Sequence, residues 1–173
     1  KNAGSSIAIW LTDNVGGEEY HNELRHATPE NLKPLFDDFG WSFCCVRNPW
    51  DRVVSFYNFF KEQRKIFISF EEYMDYIING DWSGKYIRPI TPQSLTINDK
   101  DVDYIIKYEN LIEDFKVVQN KVNCYKPLQH INKANYTKHG NYYTKNKYID
   151  FVAEYYAEEI ASLGYSFGGW KWN

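Results

Sequence analysis

Helically spaced apolar positions and short unbroken apolar runs take turns along this chain. Ile7, Ile9, Trp10 and Leu11 give the segment Ser5 to Asn14 an apolar side, so a helix is predicted there, with Gly4 just before it. Polar residues and Gly16-Gly17 then mark an exposed loop over Val15 to Thr28. Thr28-Pro29-Glu30-Asn31 has the chemistry of a helix start: a hydroxyl as N-cap and proline at the first helical position. Leu32, Leu35 and Phe36 supply the inner side of that helix, which is predicted to stop near Asp38 to Gly40. Trp41 to Val46 is a short apolar run, the pattern of a strand buried on both faces, and Asn48-Pro49 breaks it.

The second half repeats the alternation. Val53, Val54, Tyr57 and Phe60 place an amphipathic helix over Trp50 to Lys65. Ser69-Phe70-Glu71-Glu72 opens another, running through Tyr73, Met74, Tyr76 and Ile77 to Gly80. Asp81 to Asp101, with Pro89 and Pro92, reads as irregular; Asp103 to Tyr108 reads as a second strand and Asn110 to Val122 as a helix. Lys126 to Asn141 is predicted as a long loop. Thr144 to Leu163 is predicted as one long helix with Tyr148, Phe151, Val152, Tyr155, Tyr156 and Ile160 inward, ended by Gly164. Buried strands alternating with helices predict one α/β domain over residues 1–173, with a P-loop-like parallel sheet flanked by helices. A first, central strand of such a sheet is expected just before Lys1.

Composition changes this picture in three places. Aromatic residues make up 18% of the chain, which suits either a dense core or sites that stack rings. The net charge of −3 lacks the basic footprint of a nucleic-acid binder, so an anionic ligand needs a local basic patch. The three cysteines, Cys44, Cys45 and Cys124, form neither a disulfide framework nor a metal cluster. A reducing, cytoplasmic setting is the simpler expectation. No apolar stretch approaches the ~20 residues that span a bilayer. Nothing in the pattern sets an oligomeric state.

Two segments carry candidate chemistry. In Lys1-Asn2-Ala3-Gly4-Ser5-Ser6, a cation and two hydroxyls lead into a helix whose first N–H groups favour an anion, and Gly4 admits close approach. The run lacks the Gly-Lys-Ser/Thr order of a Walker A loop, so it reads equally as an ordinary helix start. In Val46 to Tyr57, Arg47 stands at the C-terminal end of a strand, where open α/β sheets place ligands. Ser55 lies eight residues on, in the following helix, and the Arg47 fork suits a phosphate group. Asp51 and Arg52 read as structural. Lys133 to Lys147 holds four lysines, one histidine and no acid, the pattern of either a local anion site or a solvated loop.

VRNPWDRVVSFY resembles the 3′-phosphate-binding motif of sulfotransferases that use PAPS (3′-phosphoadenosine 5′-phosphosulfate), especially the carbohydrate branch with heparan 2-O- and chondroitin-type enzymes. KNAGSSI resembles that family's 5′-phosphosulfate loop, YIIKYENL its late strand and acidic turn, and the stretch from NKANYTKHG to GYSF its C-terminal end. The resemblance implies that Lys1, Asn2, Ala3, Gly4, Ser5 and Ser6 hold the 5′-phosphosulfate, with Lys1 near the bridging oxygen. It implies Arg47 and Ser55 on the 3′-phosphate, Tyr108 at the adenine and Lys138 closing over the nucleotide. It implies PAP (3′-phosphoadenosine 5′-phosphate) as product, no metal, and a hydroxyl-bearing acceptor, expected to be a sugar. His26, in Arg25-His26-Ala27-Thr28, matches the position of the family's general base; His21 and Glu23 lie close by. His130 and His139 have no assigned role, and Gln93 is a candidate polar contact for the acceptor. Two alternatives stay open: a nucleotide or nucleoside kinase, and a non-catalytic protein that binds PAPS or PAP.

Overall fold

Local sequence chemistry explains where most elements begin and end in the computed structural model, which describes residues 2–17, 29–35, 40–64, 67–80, 91–95, 102–129 and 138–170. In chain order the elements are α1 (Gly4–Val15), α2 (Pro29–Leu32), β1 (Phe43–Val46), α3 (Pro49–Arg64), α4 (Phe70–Ile78), β2 (Tyr104–Lys107), α5 (Leu111–Lys121), α6 (Asn146–Tyr155), α7 (Ala157–Leu163), β3 (Tyr165–Ser166) and β4 (Gly169–Trp170). Mixed α/β architecture with a small parallel sheet flanked by helices is thus the fold. The described residues fall into two compact units, one drawn from Asn2–Arg47 and Gln93–Lys133, the other from Asn48–Pro92 and Ala134–Asn173. Among the described residues, no helix is long and apolar enough to cross a membrane.

In the first unit β1 and β2 pair in parallel, with Phe43 opposite Tyr104 and Val46 opposite Lys107. Asp103 sets the entry to β2: its carboxylate accepts from the Ser42 backbone N–H at 2.7 Å and from the Ser42 hydroxyl at 3.0 Å. Ile7 and Trp10 of α1, Ile106 of β2, and Leu111, Phe115 and Val118 of α5 form one core. Trp10 meets Phe115 edge to face at 4.9 Å, a geometry that favours the ring quadrupoles. The Trp10 indole N–H and the Gln119 side-chain amide both donate to the Lys126 carbonyl, at 2.9 and 2.6 Å. Both lone pairs of that carbonyl thereby pin the chain after α5 to α1 and α5.

The second unit absorbs much of the aromatic excess. Trp50, Val54 and Tyr57 of α3, Tyr73 and Met74 of α4, and Tyr148, Val152 and Tyr156 later in the chain are buried together. Several polar tips in and around this core find backbone acceptors, whereas the buried Tyr73 hydroxyl has no hydrogen-bond partner among the described residues. Tyr57 donates to the Ile68 carbonyl at 2.8 Å, Tyr143 to that of Trp50 at 3.0 Å, and Trp50 to that of Ile149 at 3.1 Å. These rings fill a core. Burial pushes the Tyr143 phenol well above its ordinary range. Ser69 starts α4 with a complete capping box: its hydroxyl accepts from Glu72 N–H, and the Glu72 carboxylate accepts from Ser69 N–H.

Several expectations need correction. The helix opening at Pro29 stops at Leu32 and tightens into a 3-10 turn over Lys33–Leu35. Pro34 explains this, because it lacks an N–H for the ladder and its ring crowds the preceding turn. Residues 36–39, where the longer helix was expected to end, lie outside the described residues. β1 is half-buried over Phe43 to Cys45, and only Val46 is fully buried. Ile9, Tyr76 and Tyr155 face outward. The expected single helix from Thr144 to Leu163 starts at Asn146 and divides at Tyr156, whose φ of −110° and ψ of 23° leave the helical region. Ladder bonds still run from Tyr156 N–H to Val152 and from Ile160 N–H to Tyr156. Gly164 ends α7 with φ 67°, the left-handed cap that glycine adopts at least cost.

Two surface ion pairs join α4 to the start of α6: Lys145 with Glu71 and Lys147 with Asp75. They place two of the four lysines of the Lys133 to Lys147 window against carboxylates, so these two are not open anion ligands. The Lys145 hydrogen bond holds the Glu71 carboxyl below its ordinary range, and the Lys147 bond does the same for Asp75. Since both folded values are depressed, the unfolded chain binds more protons in the acid window. The stability they add is present above the ordinary carboxylate range and lost as pH falls through the folded values. Thermal stability is expected to fall from about pH 5 to about pH 3, less steeply in a Lys145→Met, Lys147→Met double variant. Equal pH slopes in the two proteins refute this origin.

Candidate functional site

The parallel register places Arg47 and Tyr108 one step beyond Val46 and Lys107, at the same C-terminal end of adjacent strands. There the Arg47 guanidinium carbon lies 3.9 Å from the centroid of the Tyr108 ring. A cation so close to an aromatic face is attracted by the ring quadrupole, and desolvation strengthens the attraction. Arg47 is only 4% exposed. Its backbone is held as firmly: its N–H donates to Gln93 Oε1 at 3.0 Å, and its carbonyl accepts from Gln93 Nε2 at 3.0 Å. Beside it the Lys107 N–H donates to Asp114 Oδ2 at 2.8 Å, which ties the strand end to α5. Asp114 Oδ1 also accepts from the Asn110 amide at 2.7 Å, across the turn that carries Tyr108. Burial lowers the Lys107 ammonium below its ordinary range, opposed by Glu109 and Asp114.

The N-terminal segment belongs to the same unit. Ala3 takes a left-handed conformation, φ 58° and ψ 9°, immediately before α1. A left-handed residue followed by right-handed helix turns successive backbone N–H groups toward one side, a nest suited to an anion. No acidic side chain lies in the first turn to compete with an anion. Ser5 is exposed and Ser6 buried. A Cβ placed on Gly4 meets no atom within 4 Å, so the space beside this glycine is open. Asn2 reaches the sheet: its Nδ2 donates to the Cys45 carbonyl at 3.1 Å and to Gln93 Oε1 at 2.6 Å. A non-glycine residue in the left-handed region costs about 1–2 kcal/mol. Ala3→Gly is therefore expected to raise Tm by roughly 2–4 °C, and Ala3→Val to lower it. A lower Tm for the glycine variant contradicts the strain.

In the second unit α3 begins with two devices. The Asn48 side chain accepts from Trp50 N–H at 3.1 Å, and Pro49 occupies the first helical position, where its missing N–H costs nothing. The same Asn48 amide donates to the Ser166 carbonyl at 2.9 Å, which anchors the β3–β4 turn. Ser55 follows on α3 and is buried. Arg52 donates to the Thr91 carbonyl at 2.9 Å, and Asp51 Oδ1 sits 3.9 Å from His139 Nδ1. His139 bonds to the Phe167 carbonyl at 2.7 Å through Nε2. Lys138 is exposed, just before the 3-10 turn His139–Asn141. Cys44 and Cys45, adjacent and free on β1, both have thiols pushed up by burial, that of Cys44 to about 12.

Of the residues singled out by sequence, Asn2 to Ser6, Arg47 and Tyr108 lie in one unit, and Ser55 and Lys138 in the other. Lys1, His26, His21 and Glu23 lie outside the described residues. Gln93, expected to touch an acceptor, instead turns inward onto Arg47 and Asn2. Sequence reading also missed Asn48 as a cap, although an asparagine directly before proline at a strand-to-helix junction is its signal.

The sulfotransferase domain family matches residues 42–152, a stretch that includes Arg47, Ser55, Gln93, Tyr108 and Lys138 and excludes the segment before Ser42. An uncharacterized protein of Archaeoglobus fulgidus is 37% identical over 93 residues, which cover 52% of this chain and 72% of that protein. No solved structure matches the chain. With the Arg47 strand end and its helix inside a family match over most of its length, the chain belongs to the sulfotransferase domain family.

Proposed function

We propose that the protein moves a sulfuryl group from PAPS to an acceptor hydroxyl, and that residues 1–173 act as a single catalytic domain. One observation carries the donor assignment: a buried Arg47 guanidinium stacked on Tyr108 at the C-terminal end of parallel strands. A planar fork held this way pairs two oxygens of a phosphate, and the 3′-phosphate separates PAPS from ATP. Ser55 adds a hydroxyl to the same phosphate, on the strength of its place in the motif. Tyr108 borders the adenine, and Lys138 closes over the nucleotide. The Ala3 nest and the following N–H groups receive the 5′-phosphosulfate with Lys1, Ser5 and Ser6.

The chemistry then balances simply. The acceptor oxygen forms a bond to sulfur as the bond from sulfur to the 5′-phosphate oxygen breaks. His26 takes the hydroxyl proton, and PAP leaves with charge that Lys1 and backbone donors stabilise. The resemblance of the Arg47 segment to the carbohydrate branch supports a sugar as acceptor, and the free Cys44, Cys45 and Cys124 support a reducing, cytoplasmic setting. Calorimetry with PAP and with ATP tests the donor, and a sulfate-transfer screen over sugars and small alcohols tests the acceptor. PAP is expected to bind at least tenfold more tightly than ATP, given the worth of charge-assisted hydrogen bonds. Equal affinity sinks the Arg47 and Ser55 assignment.

A further inference from the structure

Arg47 stands just past β1, where its backbone N–H and carbonyl have left the sheet ladder. The Gln93 side chain pairs with Arg47 as a neighbouring strand's backbone would. Its amide accepts from that N–H and donates to that carbonyl, both at 3.0 Å, and it is only 2% exposed. Because it pairs with both groups of one residue, its orientation is fixed: the flipped amide sets like dipoles against each other. The same Oε1 must then receive a donor from Asn2, whose Nδ2 is also required by the Cys45 carbonyl. A single polar chain thus runs from the Arg47 backbone through Gln93 to Asn2 and back to β1. Asn2 immediately precedes the left-handed Ala3 that opens the anion nest.

We infer that Gln93 is a positioning residue that locks the Arg47 fork and the Asn2–Ala3 nest in one register, so that a nucleotide with phosphates at both ends is preferred. This rests on the donor reading above and assigns a role to a residue outside both phosphate motifs. Gln93 touches neither phosphate; it acts through Arg47 and Asn2. Three hydrogen bonds turn its amide inward, toward Arg47 and Asn2.

The test compares PAP with 5′-AMP by calorimetry in wild type, Gln93→Met and Asn2→Ala. Methionine keeps the length of glutamine and removes every hydrogen bond. Losing these buried partners is expected to lower PAP affinity about tenfold or more. 5′-AMP, which needs no register between two ends, is expected to weaken less, so the preference for PAP collapses. General loosening of the fold weakens both nucleotides alike. Asn2→Ala breaks the same chain at its other end without emptying the site beside Arg47, and is expected to cost less in the Gln93→Met background than alone. If the preference for PAP stays within twofold of wild type in both variants, or if their effects simply add, the inference fails while the donor reading stands. If wild type shows no preference for PAP, the donor reading fails instead.

Discussion

Arg47→Ala is expected to lower PAP affinity about 100-fold or more while leaving affinity for 5′-AMP within a few-fold. Each hydrogen bond from a charged group contributes about 1.5–3 kcal/mol, and a fork supplies two. Every 1.4 kcal/mol is tenfold in affinity. The guanidinium is buried against Tyr108, so its orientation is set before ligand arrives and little entropy is lost on binding. Arg47→Lys keeps the charge and loses the planar fork, and is expected to fall between wild type and Arg47→Ala, about tenfold down. Titration calorimetry with the two nucleotides decides it. Equal losses for PAP and 5′-AMP point to damage at the strand end rather than to a lost phosphate contact. Thermal unfolding of Arg47→Lys separates these cases, since a lysine stem still occupies the space over Tyr108.

His26→Ala is expected to lower the rate of sulfate transfer by about 10²–10⁴-fold, the range for removing a general base, with PAP affinity unchanged. A hydroxyl is a poor nucleophile until its proton is accepted as the new bond forms. A histidine does this at neutral pH and fails once it is protonated. The wild-type rate is therefore expected to fall on the acid side, and that limb is expected to vanish in the variant. A variant that keeps full rate moves the base to another residue, with His21 and Glu23 the first to substitute. Loss of PAP binding in His26→Ala instead assigns the histidine to structure.

The local chemistry of the chain foretold much of this architecture. WSFCCV announced β1, DYIIKY announced β2, and Ser69 with Glu72 announced α4, because apolar runs and capping residues act over a few neighbouring positions. Arg47 was legible for the same reason: a strand signal, Asn-Pro and a helix signal follow one another without a gap. Pro34 was equally visible in the sequence, and it, not the apolar spacing of Leu32, Leu35 and Phe36, sets where α2 stops. The partition of the aromatics was not legible, since helical spacing alone does not tell Tyr155, at the surface, from Tyr156, in the core.

By itself, then, the sequence determined the order of elements from α1 to α5, the family, and an arginine at a strand end, since each rests on neighbours in the chain. Tertiary structure alone decided that Tyr108 lies under Arg47, because that follows from the register between strands far apart in sequence. It alone decided that Gln93 faces inward. The amide reaches Arg47 across 46 positions and Asn2 across 91, and no local pattern encodes which backbone groups a distant side chain completes. The left-handed turn at Ala3 belongs with these, because strain at one residue persists only where the surrounding fold holds it.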